Sequence, residues 1–351
     1  MAYDAFYPGQ VWLDTEGKRI QAHGGSVMYL DGTYYWYGEN KEFTDGVNGI
    51  WTWGVRCYSS TDLYNWKDEG LIIPPEEDDP SSSLHPTAML DRPHIIYNRW
   101  TKKFVCWVKI MNQDGTQSET VLTADSLLGP YTKVREGLRP LSMSAGDFDL
   151  AVADDGKAYY YFERVHSETI CADLTYDYTD VTGYYSTHFP HKCPPFVREA
   201  TSHFIYNHKH YLITSGTSGY YPNPSEAAVA DTWHGPYRVL GNPHTNDDSN
   251  TSFHSQISSV FKVEGKKNLY IAVADRWLPE EKFMKLPYQR IADNFEAQFD
   301  PDCGKTADWT DIPSSHPANT SIADYVWLPL RFEGEMVYID WKDRWSLDEY
   351  E

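Results

Sequence analysis

The sequence predicts an all-β chain folded as a five-bladed β-propeller, and three observations predict it. A strand–turn–strand unit recurs five times along the 351 residues, sustained helical periodicity is absent, and aromatic residues exceed what one ordinary core requires. The first strands of the units read GGSVMYL (24–30), PHIIYN (93–98), FDLAVA (148–153), SHFIYN (202–207) and ISSVFKV (257–263). They begin at 24, 93, 148, 202 and 257, so successive starts lie 69, 55, 54 and 55 residues apart, room for four short strands with their loops.

Each first strand is followed by a turn and a second strand rich in aromatic and β-branched residues: TYYWYGE (33–39), KFVCWVKI (103–110), AYYYFERV (158–165), HYLITSG (210–216) and NLYIAVAD (268–275). Asp31-Gly32 and Asp155-Gly156 are strong hairpin signals. Third strands and tails echo one another in VRCYSSTDLYNW (55–66), VLTADSLLGPYTKV (121–134) and AAVADTWHGPYRVL (227–240). Radial arrays of four-stranded sheets are propellers, whereas a sandwich does not require five like units. YVWLPLRF (325–332) and MVYIDWK (336–342) are expected to complete the fifth sheet, and helices are confined to loops such as 280–300. A single domain over 1–351 follows.

Composition narrows the function. Acidic residues outnumber basic ones 51 to 30, a net charge of −21 that repels phosphate backbones and anionic lipid, so neither nucleic acid nor membrane is an expected partner. The 13 Trp, 27 Tyr and 14 Phe suit both strands and platforms for sugar rings. Five scattered cysteines, never in a C-x-x-C spacing, suggest neither zinc nor a disulfide framework and point to a reducing compartment. MAYDAFYPGQ has no basic region followed by an apolar run, and no stretch approaches the roughly 18 apolar residues of a membrane span. The expectation is a soluble, cytoplasmic protein; a secreted chain trimmed of its signal reads the same.

The chemistry is expected where the first strands begin, because in a propeller these strands line the central channel. The entrances read Ala22-His23-Gly24, Asp91-Arg92-Pro93, Asp147-Phe148-Asp149, Arg198-Glu199-Ala200 and Ser255-Gln256. Any one acid there is ordinarily a solvated strand end, but strands disfavour Asp, and three carboxylate-bearing entrances point to a site. Glycoside hydrolysis uses such a group: one carboxyl held protonated for the leaving oxygen, a second group to activate water or attack. Burial and neighbouring carboxylates raise the donor's pKa.

At these segments the chain resembles glycoside hydrolase family 43, in particular its galactan exo-β-1,3-galactosidase branch. The resemblance is carried by IQAHGGSVMYLDGTYYWYGENK, GVRCYSSTDLYNW, DRPHIIYN, DDGKAYYYF, REA, YLITSG, SQ, ADRW and YVWLPL, in the family's order over roughly residues 10–348. It implies a five-bladed propeller and an inverting, exo-acting hydrolase of a plant-type galactan or arabinogalactan. It also implies that Glu199 is the general acid, Asp147 the pKa-modulating carboxylate, Asp91 a substrate-binding carboxylate usually Glu in the branch, and Gln256 the residue that handles the attacking water. The family's usual base, an Asp at the first entrance, is replaced by AHGG, as in that branch. Where the branch has an S-R-D-M-T-L-F run this chain has AGDFDLAV, so Asp147 and Asp149 compete for one role, two residues apart on one side of a strand. His254 in place of a glycine, and Tyr220-Tyr221 where Trp is common, bear on sugar specificity, and an arabinofuranosidase or galactofuranosidase is the alternative. A non-catalytic carbohydrate-binding propeller is the alternative of another class, and a protein scaffold a third.

His23 is a candidate for sugar contact or for a structural bond across the channel. Glu39 and Glu163 end second strands, where an acid either binds sugar hydroxyls or is solvated. Trp36, Trp53 and Trp107 are candidate platforms or core residues. Asp275-Arg276-Trp277 is expected to form a buried ion pair locking the fifth blade. No cofactor is expected; a channel calcium is conceivable, but its six or more oxygen ligands are not legible. PPEEDDPSSS (74–83) reads as a solvated loop near the pocket rim.

Overall fold

The computed structural model describes residues 2–351, and each repeat unit forms one antiparallel blade. The first blade comprises His23–Leu30, Thr33–Glu39, Val55–Ser60 and Lys67–Ile73; the second Met89–Asn98, Lys103–Met111, Gln117–Ala124 and Thr132–Leu138. The third comprises Ala145–Val152, Ala158–Arg164, Glu168–Leu174 and Val181–His188; the fourth Arg198–Tyr206, Lys209–Gly216, Glu226–Ala230 and Arg238–Gly241. In the fifth, Gln256–Lys262 and Tyr270–Arg276 are joined by Leu328–Glu333 and Met336–Asp340, as expected, and His244–Thr245 adds a short parallel edge. The chain is thus a five-bladed β-propeller.

Aromatic and aliphatic second-strand residues fill the seams between blades. Val105, Trp107, Tyr160 and Phe162 pack where the second and third blades meet. Trp36 is fully buried with Trp66, Trp327 and Trp345. Trp36 and Trp107 are therefore core residues and not sugar platforms, because no face of either ring reaches solvent. Trp53 packs edge-on against Phe43. The ring is closed by a backbone bridge between Phe6 and Trp345, whose rings stack at 4.1 Å.

Every first strand carries a register irregularity near its channel entrance: between His23 and Ser26, between Asp91 and His94, opposite Phe162 and Arg164, between Glu199 and Ser202, and between Ile257 and Ser259. Bulges re-aim the side chains around them. Left-handed backbone marks three of the five, at Gly24 (φ +59°), Arg92 (+54°) and Ala200 (+48°). Gly24 also has no alternative on steric grounds, since a Cβ there would lie 2.3 Å from the Glu39 carboxylate.

Between the second and third main strands of the fifth blade the chain leaves the sheet. This insertion carries the short helix Glu281–Met284 and the helix Tyr288–Phe299, within the region expected to be helical. Its core, Phe283, Ile291 and Ala323, packs with Tyr221 and Trp277 at the channel mouth. No helix among the described residues is long and apolar enough to cross a membrane.

Candidate active site

Two rings of side chains surround the channel mouth. The inner ring comes from the first strands: His23, Asp91, Asp147, Glu199 and Gln256. The outer ring comes from the ends of the second strands, where pairing sets Glu39 opposite His23, Lys109 opposite Asp91, Ser215 opposite Glu199 and Asp275 opposite Gln256. In the third blade Glu163 occupies this place, facing the bulged entrance, where a Cβ on Gly146 would lie 2.3 Å from its carboxylate.

Each outer residue reaches forward to the next blade. Glu39 accepts from the Arg92 backbone N–H at 2.9 Å; Lys109 donates to Asp147 at 2.6 Å. The Ser215 hydroxyl accepts from Gln256 Nε2 at 2.9 Å, and Asp275 binds His23 Nδ1 and the Gly24 N–H, both at 2.9 Å. Four junctions therefore join a donor to an acceptor. At the fifth, no such bond is made: Glu163 accepts from the His166 backbone N–H of its own blade, and its charge, with that of Asp147, bears on Glu199.

That junction carries the unusual electrostatics. Burial, reinforced by the charges of Asp147 and Glu163, holds the Glu199 carboxyl well above its ordinary value. Burial likewise pushes Glu163 up to about 7 and Glu39 to about 7, the latter against the pull of Lys41, whose Nζ lies 2.8 Å away. Asp147 goes the other way. Burial would raise it, but Arg92 at 3.0 Å and Lys109 at 2.6 Å hold it at about 2. The mouth thus holds one carboxyl lowered by cations and others raised by burial.

One hydrogen-bonded network connects these groups. Gln256 Nε2 donates to Glu199 at 3.3 Å, while Gln256 Oε1 accepts from Arg92 and from Trp277 Nε1. Arg92 reaches Asp147, and Lys109 continues from Asp147 to Asp91 at 3.2 Å. Asp91 also accepts from Trp51 Nε1 at 2.6 Å. The cleft above them has a volume of about 890 Å³.

Of the residues singled out from sequence, Glu199, Asp147, Gln256, Asp91, Glu39 and Tyr220 line this cleft, with Tyr220 stacked on Trp51 at 6.0 Å. His23 does not. It is fully buried between Asp275, Gln21 and Tyr325, which corrects its reading as a sugar contact in favour of a bond across the channel. Asp149 does not line it either: its oxygens accept from the backbone of His203 (2.5 Å) and Leu150 (2.7 Å) and lie 3.1 Å from His94, so the competition with Asp147 resolves to Asp147. His254 sits behind Gln256 and Trp277 in a separate small crevice, away from the cleft. The Asp275–Arg276 ion pair is also corrected. Asp275 ties the fifth blade to the first, while Arg276 donates to the Gly9 and Phe253 carbonyls. Among the described residues no three His, Cys, Asp or Glu side chains converge as metal ligands.

Sequence reasoning undervalued the cations and the outer ring. Lys109 was visible as the one charge inside the otherwise apolar run FVCWVKI, and Arg92 stood beside Asp91. Glu163 was noticed, but as an acid more often solvated; it is buried in the cleft wall. Trp51 and Trp277 have no local signal, because their loops are brought to the mouth only by blade closure.

These pKa displacements predict how stability varies with pH. Glu39, Glu163 and Asp149 sit at about 7 in the folded protein, above ordinary values of 4.5, 4.5 and 3.8, so the folded state retains protons that the unfolded chain releases. Their contribution is complete below the ordinary values and is lost as pH rises through about 7. Asp147 acts oppositely: its contribution is present above 3.8 and lost as pH falls through about 2. Thermal unfolding should therefore show its highest Tm near about pH 5 and a lower one at about pH 8. A Tm that rises over that interval would mean these carboxyls are ionised in the fold.

The family model of glycosyl hydrolases family 43 matches residues 20–284. No curated protein matches the chain. Among solved structures, the family 43 β-1,3-galactosidase BT0265 superposes with a TM-score of 0.78 at 28% identity, over 99% of this chain and 65% of its own, so the chain spans about two thirds of that protein. The β-1,3-galactosidase BT3683, solved with galactodeoxynojirimycin, gives 0.77 at 28% identity over 97% of this chain and 100% of its own. The Phanerochaete chrysosporium exo-β-1,3-galactanase with β-1,3-galactotriose gives 0.77 at 23% identity over 98% and 68%, a likeness of fold.

Proposed function

The chain belongs to the glycosyl hydrolases family 43, and on that premise we propose that it is an exo-acting, inverting hydrolase that releases terminal galactose from β-1,3-galactan, with Glu199 as general acid. The observation that carries this reading is the placing of Glu199 in the cleft wall, 3.3 Å from the Gln256 amide, where burial and the charges of Asp147 and Glu163 raise its pKa. A carboxylic acid whose pKa is raised can give its proton to a glycosidic oxygen as the bond to the anomeric carbon breaks. The electron pair leaves with that oxygen. Water adds to the anomeric carbon from the opposite face, and the proton it releases balances the one Glu199 gave up.

The network assigns supporting roles. Asp147, ionised between Arg92 and Lys109, places a fixed negative charge beside Glu199 and near a developing oxocarbenium ion. Gln256 is pinned by Arg92, Trp277, Ser215 and Glu199, which occupy both N–H groups and both lone pairs of its amide, so it aims the water by exchanging one of its long 3.3 Å contacts, to Glu199 or Trp277, for it. Asp91, with an oxygen on Trp51 and another on Lys109, offers a rigid acceptor for sugar hydroxyls. The relatives described as β-1,3-galactosidases support the choice of sugar.

Exo action has a direct test. Digests of β-1,3-galactan sampled from the first minute should contain galactose and no intermediate ladder of oligosaccharides; an early ladder would rule exo action out. Aryl β-D-galactopyranoside, α-L-arabinofuranoside and β-D-galactofuranoside compared side by side separate the pyranose reading from the furanose ones.

A further inference from the structure

The cleft, at about 890 Å³, is larger than one sugar ring needs. Its wall includes Ser83, Met111 and Gln117 of the second blade and its approaches, and Glu163, His166, Phe295 and Phe299 between the third blade and the helix inserted in the fifth. Glu163 accepts from the His166 backbone N–H at 2.8 Å, and the His166 ring meets Phe299 edge-on at 4.9 Å. Phe295 and Phe299, four residues apart on Tyr288–Phe299, share a helix face with their rings parallel to within 1°.

The helix is held rigidly against the propeller. Lys192 grips Asp300 at 2.7 Å, Asn294 exchanges hydrogen bonds with Asp308 at 2.8 and 2.7 Å, and Phe295 packs edge-on against Trp309 at 5.4 Å. Yet Phe299 remains 38% exposed at the cleft wall. Phe299 and Phe295 thus present apolar ring surface to the cleft beside Glu163 and His166.

We infer that the insertion supplies the leaving-group subsite, with Phe299 and Phe295, flanked by His166, forming a platform for the apolar face of the sugar on the far side of the scissile bond. This rests on the reading of Glu199 as general acid, which fixes direction: the leaving group departs on the acid's side, and from Glu199 the wall continues through Glu163 and His166 to Phe299. Sugar rings have one face of C–H groups, which suits the electron-rich face of an aromatic ring.

The test compares β-1,3-galactotriose with β-D-galactosyl fluoride, whose leaving group is too small to reach the platform. Phe299→Ala should lower kcat/KM for the triose by about 10-fold, the order expected for one lost ring contact, and leave the fluoride within about two-fold. Phe299→Tyr should restore the triose rate. Because Phe299 is partly exposed, the substitution leaves the core intact. Met111→Ala, in the second-blade wall, should leave the ratio unchanged. Equal loss on both substrates, no loss on either, or a selective loss in Met111→Ala alone would overturn the assignment. Failure of the unaltered protein on both substrates would instead sink the hydrolase reading on which it rests.

Discussion

Glu199→Gln should lower hydrolysis of β-1,3-galactan about 10²–10⁴-fold, the usual contribution of a general acid. Glutamine preserves the size of the side chain and an oxygen for the Gln256 amide, 3.3 Å away, but has no proton to give. The loss should depend on the leaving group: glycosides of strongly acidic phenols leave unaided and should retain far more of their rate. Product binding should survive, since the cleft keeps its shape. Uniform loss over all leaving groups would indicate a damaged site. Because Glu163 lines the same cleft and burial pushes its carboxyl up to about 7, Glu163→Gln is the necessary comparison. Leaving-group-dependent loss in that variant and not in Glu199→Gln would transfer the acid's role to Glu163.

Lys109→Met should be the most destabilising change in the site, by about 3–5 kcal/mol, the range for breaking a buried ion pair and stranding its partner. Lys109 is 11% exposed and lies between Asp147 at 2.6 Å and Asp91 at 3.2 Å, so its loss leaves Asp147 with Arg92 at 3.0 Å and Asp91 with Lys41 at 3.9 Å. Methionine keeps the volume, which confines the effect to charge. The Asp147 carboxyl should then titrate well above about 2, and the acid-side loss of stability should begin at higher pH. Adding Asp147→Asn removes the stranded charge and should recover most of the stability but not the activity. Denaturant unfolding of the single and double variants checks this; a single variant within about 1 kcal/mol of the parent would show that water screens the pair.

The fold was legible because it is written locally and five times over. Hairpin signals such as Asp31-Gly32, the aromatic second strands and the near-constant spacing each report on neighbouring residues, and repetition made them add. The inner ring was legible for a related reason: once the first strand of each unit is found, its entrance is fixed by position. Hence Asp91, Asp147, Glu199 and Gln256 were found together, and the cleft indeed gathers them.

Direction and depth were not legible. Asp147 and Asp149 are equivalent in sequence, and only the bulge at the third entrance and the His203 and Leu150 backbone donors decide that one faces the cleft and the other is bound beneath it. Trp36 and His23 are written as ordinary site candidates, yet closure of the ring seals Trp36 among other tryptophans and ties His23 to Asp275, 252 residues away. The sequence by itself determined the blades and which residues reach the channel mouth, because strand periodicity and turn chemistry act over a few residues. Only the tertiary structure decided which carboxyl meets a cation and which does not, because those contacts join the second strand of one blade to the first strand of the next. That arrangement lowers the Asp147 pKa and, with burial, raises that of Glu199, and it exists only once the ring has closed.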